Sequence, residues 1–177
     1  MKKFGGTRMI VVTAMVAAVY VAFTFALYGL SYQAVQFRFS ELMVFLAFID
    51  PLYIPGLVLG CFIANIFGPF GLVDAVFGSV ATLFSVFFIY LSRRYIRHDL
   101  TALTVASLWP SVSSLIIAFE IVFIAKAPES YWYWVAMVAL GEFLVVTVCG
   151  VPLWSLILKK PVWVSRLRQI RTKERAG

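Results

Sequence analysis

The stretch Met9–Leu30 reads MIVVTAMVAAVYVAFTFALYGL and carries no charge. The uncharged run continues to Phe37, about 29 residues in all, where the apolar region of a secretory signal has roughly 7–15. A membrane-crossing helix needs about 20 largely apolar residues, so we read this stretch as a retained first transmembrane helix. Composition extends that reading to the whole chain. Hydrophobic residues make up 63% of the 177 and charged residues 13%, and the mean hydropathy is +0.96. An ordinary globular protein has about 45–50% and 25%. A soluble domain of this length cannot hide so much apolar surface. Lipid is the solvent for this fold.

Working outward, breaks in the apolar pattern divide the chain into six segments. The first is residues 9–30, ending at Gly29 and the polar Ser31, Tyr32 and Gln33. A short one follows over 39–49 and stops at Asp50-Pro51; the third, 52–67, stops at Gly68-Pro69. The fourth is 71–91, closed by Ser92, Arg93 and Arg94. The fifth, 101–125, contains Pro110, and the sixth, 131–158, ends at Lys159-Lys160-Pro161. Residues before proline avoid the helical region, which favours helix ends at these points. The expected fold class is an all-α integral membrane protein, a six-transmembrane-helix bundle in a single domain over 1–177 with a basic cytoplasmic tail at 159–177. Four crossings result instead if the short second and third segments form a re-entrant hairpin.

The net charge of +7 is clustered. Lys2, Lys3 and Arg8 precede the first segment; Arg93, Arg94 and Arg97 follow the fourth. Lys159, Lys160, Arg166, Arg168, Arg171, Lys173 and Arg175 fill the tail, leaving Arg38 and Lys126 elsewhere. The positive-inside rule places such clusters in the cytoplasm, so both termini are expected there. A basic tail can also track nucleic-acid phosphates, but that leaves the apolar remainder unexplained, and no nucleic-acid partner is expected. Tyr28, Tyr32, Tyr131, Trp132, Tyr133 and Trp134 mark outer segment ends, and Tyr90, Tyr95, Trp154 and Trp163 flank the basic ends. Aromatic residues form such belts at headgroup level. Cys61 and Cys149 lie within apolar runs and read as small, inert hydrophobes.

Acidic residues at membrane depth cost about 2.5–3.5 kcal/mol each and therefore need a reason. Glu120 falls about five residues, roughly 8 Å, from the outer end of the fifth segment. Glu142 falls near mid-depth in the sixth, and Asp74 and Asn65 sit at the outer ends of the fourth and third. Arg38 and Glu41 open the second segment, also outside, after Gln36. Arg38 and Glu41, three residues apart on a helix, could simply pair, and Asp74 could serve its helix N-terminus. Glu120 and Glu142 have no basic neighbour in sequence. Together with Asn65, Gln36 and aromatic residues such as Trp132, they outline an outward-facing pocket for a donor-rich or cationic, planar ligand.

Other chemistry is excluded. The chain lacks G-x-x-x-x-G-K-[ST], H-E-x-x-H and G-x-S-x-G motifs. His98, its single histidine, lies in a basic loop, which rules out a histidine-based metal site or a Ser-His arrangement within the membrane. A transporter or solute-binding subunit fits better than an enzyme, with no cofactor in this chain. Ala14, Ala18, Ala22 and Ala26 recur every four residues and give a smooth face for close helix approach. Another helix of this chain, a second copy or a different protein could use it.

Several motifs occur in order: Gln36-Phe37-Arg38-Phe39-Ser40-Glu41, Asp50-Pro51, Gly56 to Asn65 (GLVLGCFIAN), Phe77 to Leu83 (FGSVATL), Gly141 to Val146 (GEFLVV) and Gly150-Val151-Pro152. In this the chain resembles the QueT family, the membrane-embedded substrate-binding (S) components of energy-coupling factor (ECF) transporters, over nearly its whole length. Ser113 and Ser114 depart from the amide residue expected of relatives. The resemblance implies an S-component bundle in a bacterial cell membrane that captures a queuosine precursor, a 7-deazaguanine base such as preQ0 or preQ1. It also implies docking, through the alanine face, on a transmembrane coupling subunit that works with two cytoplasmic ATPase subunits. A guanine-type edge offers N–H donors to a carboxylate, and its oxygen takes a donor such as Asn65 or Gln36. A stand-alone, proton-coupled carrier titrating Glu120 or Glu142 is the alternative reading, and a non-transporting scaffold using the alanine face is a third.

Overall fold

The computed structural model describes residues 6–33 and 35–172, with side chains as far as Arg168. Lys2, Lys3, Lys173, Arg175 and the side chain of Arg171, counted above in the basic clusters, lie outside the described residues. Among the described residues every regular element is helical. With no water in the bilayer core, helices satisfy their own backbone groups, which sheets with open edges cannot do. Four helices are long and apolar enough to cross a membrane: α1 (Gly6–Ala26), α4 (Leu72–Tyr95), α5 (Asp99–Ile124) and α6 (Tyr131–Leu158). Two shorter apolar helices, α2 (Phe39–Ile49) and α3 (Pro51–Ile66), lie between α1 and α4. A further helix, α7 (Pro161–Thr172), occupies part of what the sequence suggested as tail.

α1 and α3 approach closely at two glycines four residues apart. A Cβ on Gly56 would lie 2.8 Å from Val16 Cβ, and one on Gly60 would lie 2.7 Å from Tyr20 Cβ. Only hydrogen fits at either position, the small-xxx-small solution to helix contact in lipid. This contact buries Val16, Ala17, Tyr20 and Thr24. Ala14, Ala18, Ala22 and Ala26 stay exposed on the opposite side of α1. The alanine face is therefore not consumed by the chain's own packing.

α2 occupies the middle of the bundle, against α1, α4 and α6. Val44, Phe45, Ala47 and Phe48 on it are all buried. Its first seven residues form a tight 3₁₀ helix and only the last four are α-helical. At about 2.0 Å per residue and then 1.5 Å, the whole element falls short of a bilayer core of about 30 Å. Trp154 Nε1 donates to the Leu42 carbonyl at 2.8 Å and ties α6 to α2. Trp154 is thus a core residue, 7% exposed, and not part of an interfacial belt. Its ring stands 6.0 Å from that of Phe45.

Both proline-bearing long helices are irregular. α5 breaks at Leu108, two residues before Pro110, whose ring cannot sit in an unbroken helix interior. The Thr147 hydroxyl of α6 donates to the carbonyl of Ser107 at 3.2 Å beside that break. α5 then widens into π-type turns over Glu120–Ile124, and α6 does so over Phe143–Gly150, just before Pro152. Glu120 begins one widened stretch and Glu142 immediately precedes the other. Such turns redirect side chains and are frequent at functional sites.

Gly60→Leu should separate α1 from α3, since overpacking costs typically about 1–3 kcal/mol. Its unfolding temperature in detergent should fall clearly below that of the wild type. Gly29→Ala, at a position with no other atom within 4 Å, should leave the unfolding temperature unchanged.

Candidate functional site

Residues 35–38 lead into α2. Gln36 holds a left-handed backbone with φ of 45°, uncommon for a residue with a Cβ. The segment sits directly on α6, because a Cβ on Gly141 would collide with the Val35 carbonyl. Gly141 is thus the position at which α6 admits this backbone, and Glu142 is the next residue. Turn bonds from Arg38 N–H to the Gln36 carbonyl at 2.8 Å and from Phe37 N–H to the Leu30 carbonyl at 3.0 Å complete the path.

Two cavities meet at this segment, and Gln36 and Arg38 line both. The outer one, about 200 Å³, is walled by Tyr32, Phe70, Asp74 and Trp134 among others. The inner one is a void of about 20 Å³ reached by Glu41, Thr82, Ser113 and Glu142, large enough for about one water molecule. Arg38 is buried. Its Nε donates to the Ser31 carbonyl at 3.3 Å, and its guanidinium lies 5.4 Å from the Tyr32 ring centroid. Tyr32 in turn donates to the Ala64 carbonyl at 2.7 Å. Burial, partly opposed by Arg38, pushes the Tyr32 phenol up to about 12, so at neutral pH it stays a donor.

Each residue singled out in the sequence has a definite place. Glu41 accepts a hydrogen bond from the Tyr20 hydroxyl. Among the described residues no ion pair within 4.0 Å joins it to Arg38. Asp74 accepts the Phe70 N–H at 2.9 Å, which is the helix-terminus role, and also walls the outer cavity. Glu120, 1% exposed, faces Asp74. Its Oε1 has no hydrogen-bond partner, and neither has Oε2 of Glu142. Asn65 is buried behind Gly78, which would otherwise collide with its amide. Its Nδ2 donates to Cys61 Sγ at 3.2 Å, and it walls neither cavity. Trp132 is 69% exposed and also lies outside both; Trp134, two residues on, is the tryptophan at the cleft.

The matched sequence settles what kind of protein this geometry serves. Residues 10–159 match the family model described as QueT transporter. The chain belongs to the QueT transporter family. It is 35% identical over 151 residues to a protein of Lactococcus lactis subsp. cremoris named queuosine precursor transporter QueT, an alignment covering 77% of this chain and 85% of that one. No solved structure matches it. As a QueT-family protein it is a multi-pass membrane transporter and not an enzyme.

Part of the candidate site is not singled out by the sequence. Tyr20 is one residue of the apolar run that forms α1. Its signal was available, since it is the one hydroxyl-bearing ring inside the apolar run from Met9 to Leu27. Cys61, read as inert, accepts a hydrogen bond from the Thr82 hydroxyl at 3.1 Å as well as the one from Asn65. Gly141 carried no signal by itself, because its role depends on a segment about a hundred residues earlier.

Proposed function

We propose that this chain is the membrane-embedded substrate-binding subunit of an ECF-type importer, a six-helix bundle that captures a queuosine precursor, a 7-deazaguanine base, from outside. The carrying observation is the pair of partnerless carboxylate oxygens on Glu120 and Glu142: Glu142 reaches the inner void, and Glu120, which lines neither cavity, faces Asp74 in the wall of the cleft that also holds Tyr32 and Trp134. The name of the Lactococcus relative, queuosine precursor transporter, supports the choice of ligand. The cleft, about 200 Å³, is below the roughly 300–1,000 Å³ of drug-sized sites, which suits a compact bicyclic base. Glu142 and Glu120 accept the base N–H groups, Gln36 or Arg38 donates to its oxygen, and Trp134 or Tyr32 stacks on its plane. Base stacking on aromatic rings contributes about 1–3 kcal/mol. Asn65, bound to Cys61, supports the site from behind.

In this reading the exposed face of Ala14, Ala18, Ala22 and Ala26 meets a transmembrane coupling subunit, and two cytoplasmic ATPase subunits supply the free energy. Both termini lie in the cytoplasm and the cleft outside. In a cysteine-free background, an impermeant maleimide should label a cysteine at Ser130 in intact cells but leave one at Ser165 unlabelled; the opposite pattern reverses the orientation.

Calorimetry on the purified chain tests the site. A hydrogen bond to a charged group is worth about 1.5–3 kcal/mol, so Glu142→Gln should weaken binding roughly ten- to a hundred-fold. Glu120→Gln should do the same, and should affect an aminomethyl base more than its nitrile analogue if Glu120 holds the cation. Unchanged affinity for both bases in both folded variants would make these carboxylates structural. If uptake instead persists without ATPase subunits and follows the proton gradient, the chain is a stand-alone carrier.

Coupling is tested on the other face of α1. Replacing Ala18 and Ala22 together with leucine should abolish uptake by the assembled transporter while leaving base affinity of the isolated chain unchanged. Full uptake with both leucines in place would remove the alanine face from the coupling interface.

A further inference from the structure

Arg38 and Glu41 stand where an ion pair is expected and do not form one. Both are buried, and both line the inner void. Arg38 immediately precedes the 3₁₀ part of α2, and the Glu41 N–H donates to its carbonyl at 2.9 Å. Residues three apart in a 3₁₀ helix eclipse one another, so the backbone puts the two side chains on one face. A buried charge is costly unless it is paired, which favours their joining. Among the described residues, however, no carboxylate lies within 4.0 Å of Arg38 as an ion-pair partner.

Tyr20 keeps them apart. Its hydroxyl donates to Glu41 Oε1, and its ring is buried with no room to swing away. A Cβ on Gly60 would lie 2.7 Å from Tyr20 Cβ and 3.0 Å from its Cγ, so the root of the ring rests on that glycine. One turn along α1, the Thr24 hydroxyl donates to Ser40 Oγ at 2.8 Å. α1 thus grips α2 at two adjacent residues, Ser40 and Glu41. Arg38 turns the other way, with Nε on the Ser31 carbonyl and the guanidinium beside Tyr32 in the wall of the outer cavity. A carboxylate paired with a guanidinium typically takes two of its N–H donors side by side, and those donors are then lost to a ligand.

We propose that Tyr20 is a positioning residue for ligand capture. By holding Glu41 it prevents the Arg38–Glu41 ion pair and leaves the guanidinium to donate to the oxygen of the bound base. The inference rests on the reading of the cleft as the site of a 7-deazaguanine base, and it assigns the oxygen to Arg38 over Gln36. Tyr20 itself lines neither cavity and does not touch the base. It acts through the pair that it prevents.

Calorimetry on the purified full chain with the aminomethyl 7-deazaguanine base tests this, with the unfolding temperature in detergent confirming that each variant is folded. Tyr20→Phe keeps the ring on Gly60 and removes only the hydroxyl, so the base should bind about tenfold more weakly. In a Glu41→Gln background, where no ion pair can form, the same substitution should change affinity by less than about twofold. A second pair of variants leaves Tyr20 in place. Glu41→Asp and Glu41→Asn both draw back from the Tyr20 hydroxyl by one methylene and differ in charge. The aspartate, able to capture Arg38, should bind the base about tenfold more weakly than the asparagine. An equal loss from Tyr20→Phe in both backgrounds would make Tyr20 merely structural, and no loss in either would remove its role. Asparagine binding as weakly as aspartate would show that the freed carboxylate does not compete for Arg38. Any of these patterns, with a wild type that binds the base, overturns the positioning role alone. A wild type that does not bind the base overturns the reading of the cleft and this inference with it.

Discussion

The approach of α1 to α3 across Gly56 and Gly60 is the contact on which the arrangement of α1 depends. At about 100° per residue, seating Val16 and Tyr20 against those glycines turns Ala18 and Ala22 to the far side of the helix. The same rotation aims Tyr20 at Glu41 on α2 and Thr24 at Ser40, whose hydroxyls lie 2.8 Å apart. A Cβ at either glycine would undo all three at once. In lipid there is no hydrophobic force to press helices together, so such contacts rest on fit and on buried polar bonds. α1 supplies both on one face and leaves the other smooth.

A similar economy governs the polar end. Arg38 reaches both cavities from a segment whose Val35 and Gln36 backbone presses on α6, which it can do because residue 141 has no side chain. The widened turns after Glu120 and Glu142 place a carboxylate at each discontinuity of α5 and α6. Helix irregularity inside a membrane is tolerated where it is buried in protein or lines a cavity. The stretch after Glu120 meets that condition at Ile121, which walls the outer cavity, and the one in α6 at Val145, Val146 and Gly150, which are buried.

Much of this was legible in the sequence, and the failures share a cause. The segments 39–49 and 131–158 coincide with the helices found, because their ends are written in charges and prolines. The four long and two short apolar helices follow the expected divisions within a few residues. What remained illegible required knowing which way a helix faces. Trp132 and Trp134 are indistinguishable in composition, yet two residues turn a side chain by about 200°, and only Trp134 meets the cleft. Trp154 looked interfacial from its neighbours Lys159 and Lys160, but the loose turns before Pro152 bring it inward to Leu42. Asn65 fell at the expected end of its helix, and the missing information was Gly78 on α4, which admits its amide behind the cavity and not into it. The amphipathic α7 was hidden by its charge, since a basic tail reads as solvated until the Tyr53 hydroxyl is found donating to the Leu167 carbonyl.

In the proposed reading, the two carboxylates are what lets so small a site bind tightly. A buried acceptor without a donor costs about 1–3 kcal/mol, more when it is charged. Local donors do not relieve that cost: Tyr20 is engaged with Glu41, Asn65 with Cys61, and the Ser113 hydroxyl with the Pro110 carbonyl at 2.7 Å. Arg38 Nε is engaged as well, with Ser31. A ligand that brings N–H groups to Glu120 and Glu142 therefore gains its own hydrogen bonds and also removes a penalty carried by the folded chain. An analogue of the same shape without those donors gains only the stacking. Discrimination in such a site comes from hydrogen-bond donors more than from size, since a polar site rejects a partner that leaves its groups unpaired far more strongly than an apolar pocket rejects an extra methylene.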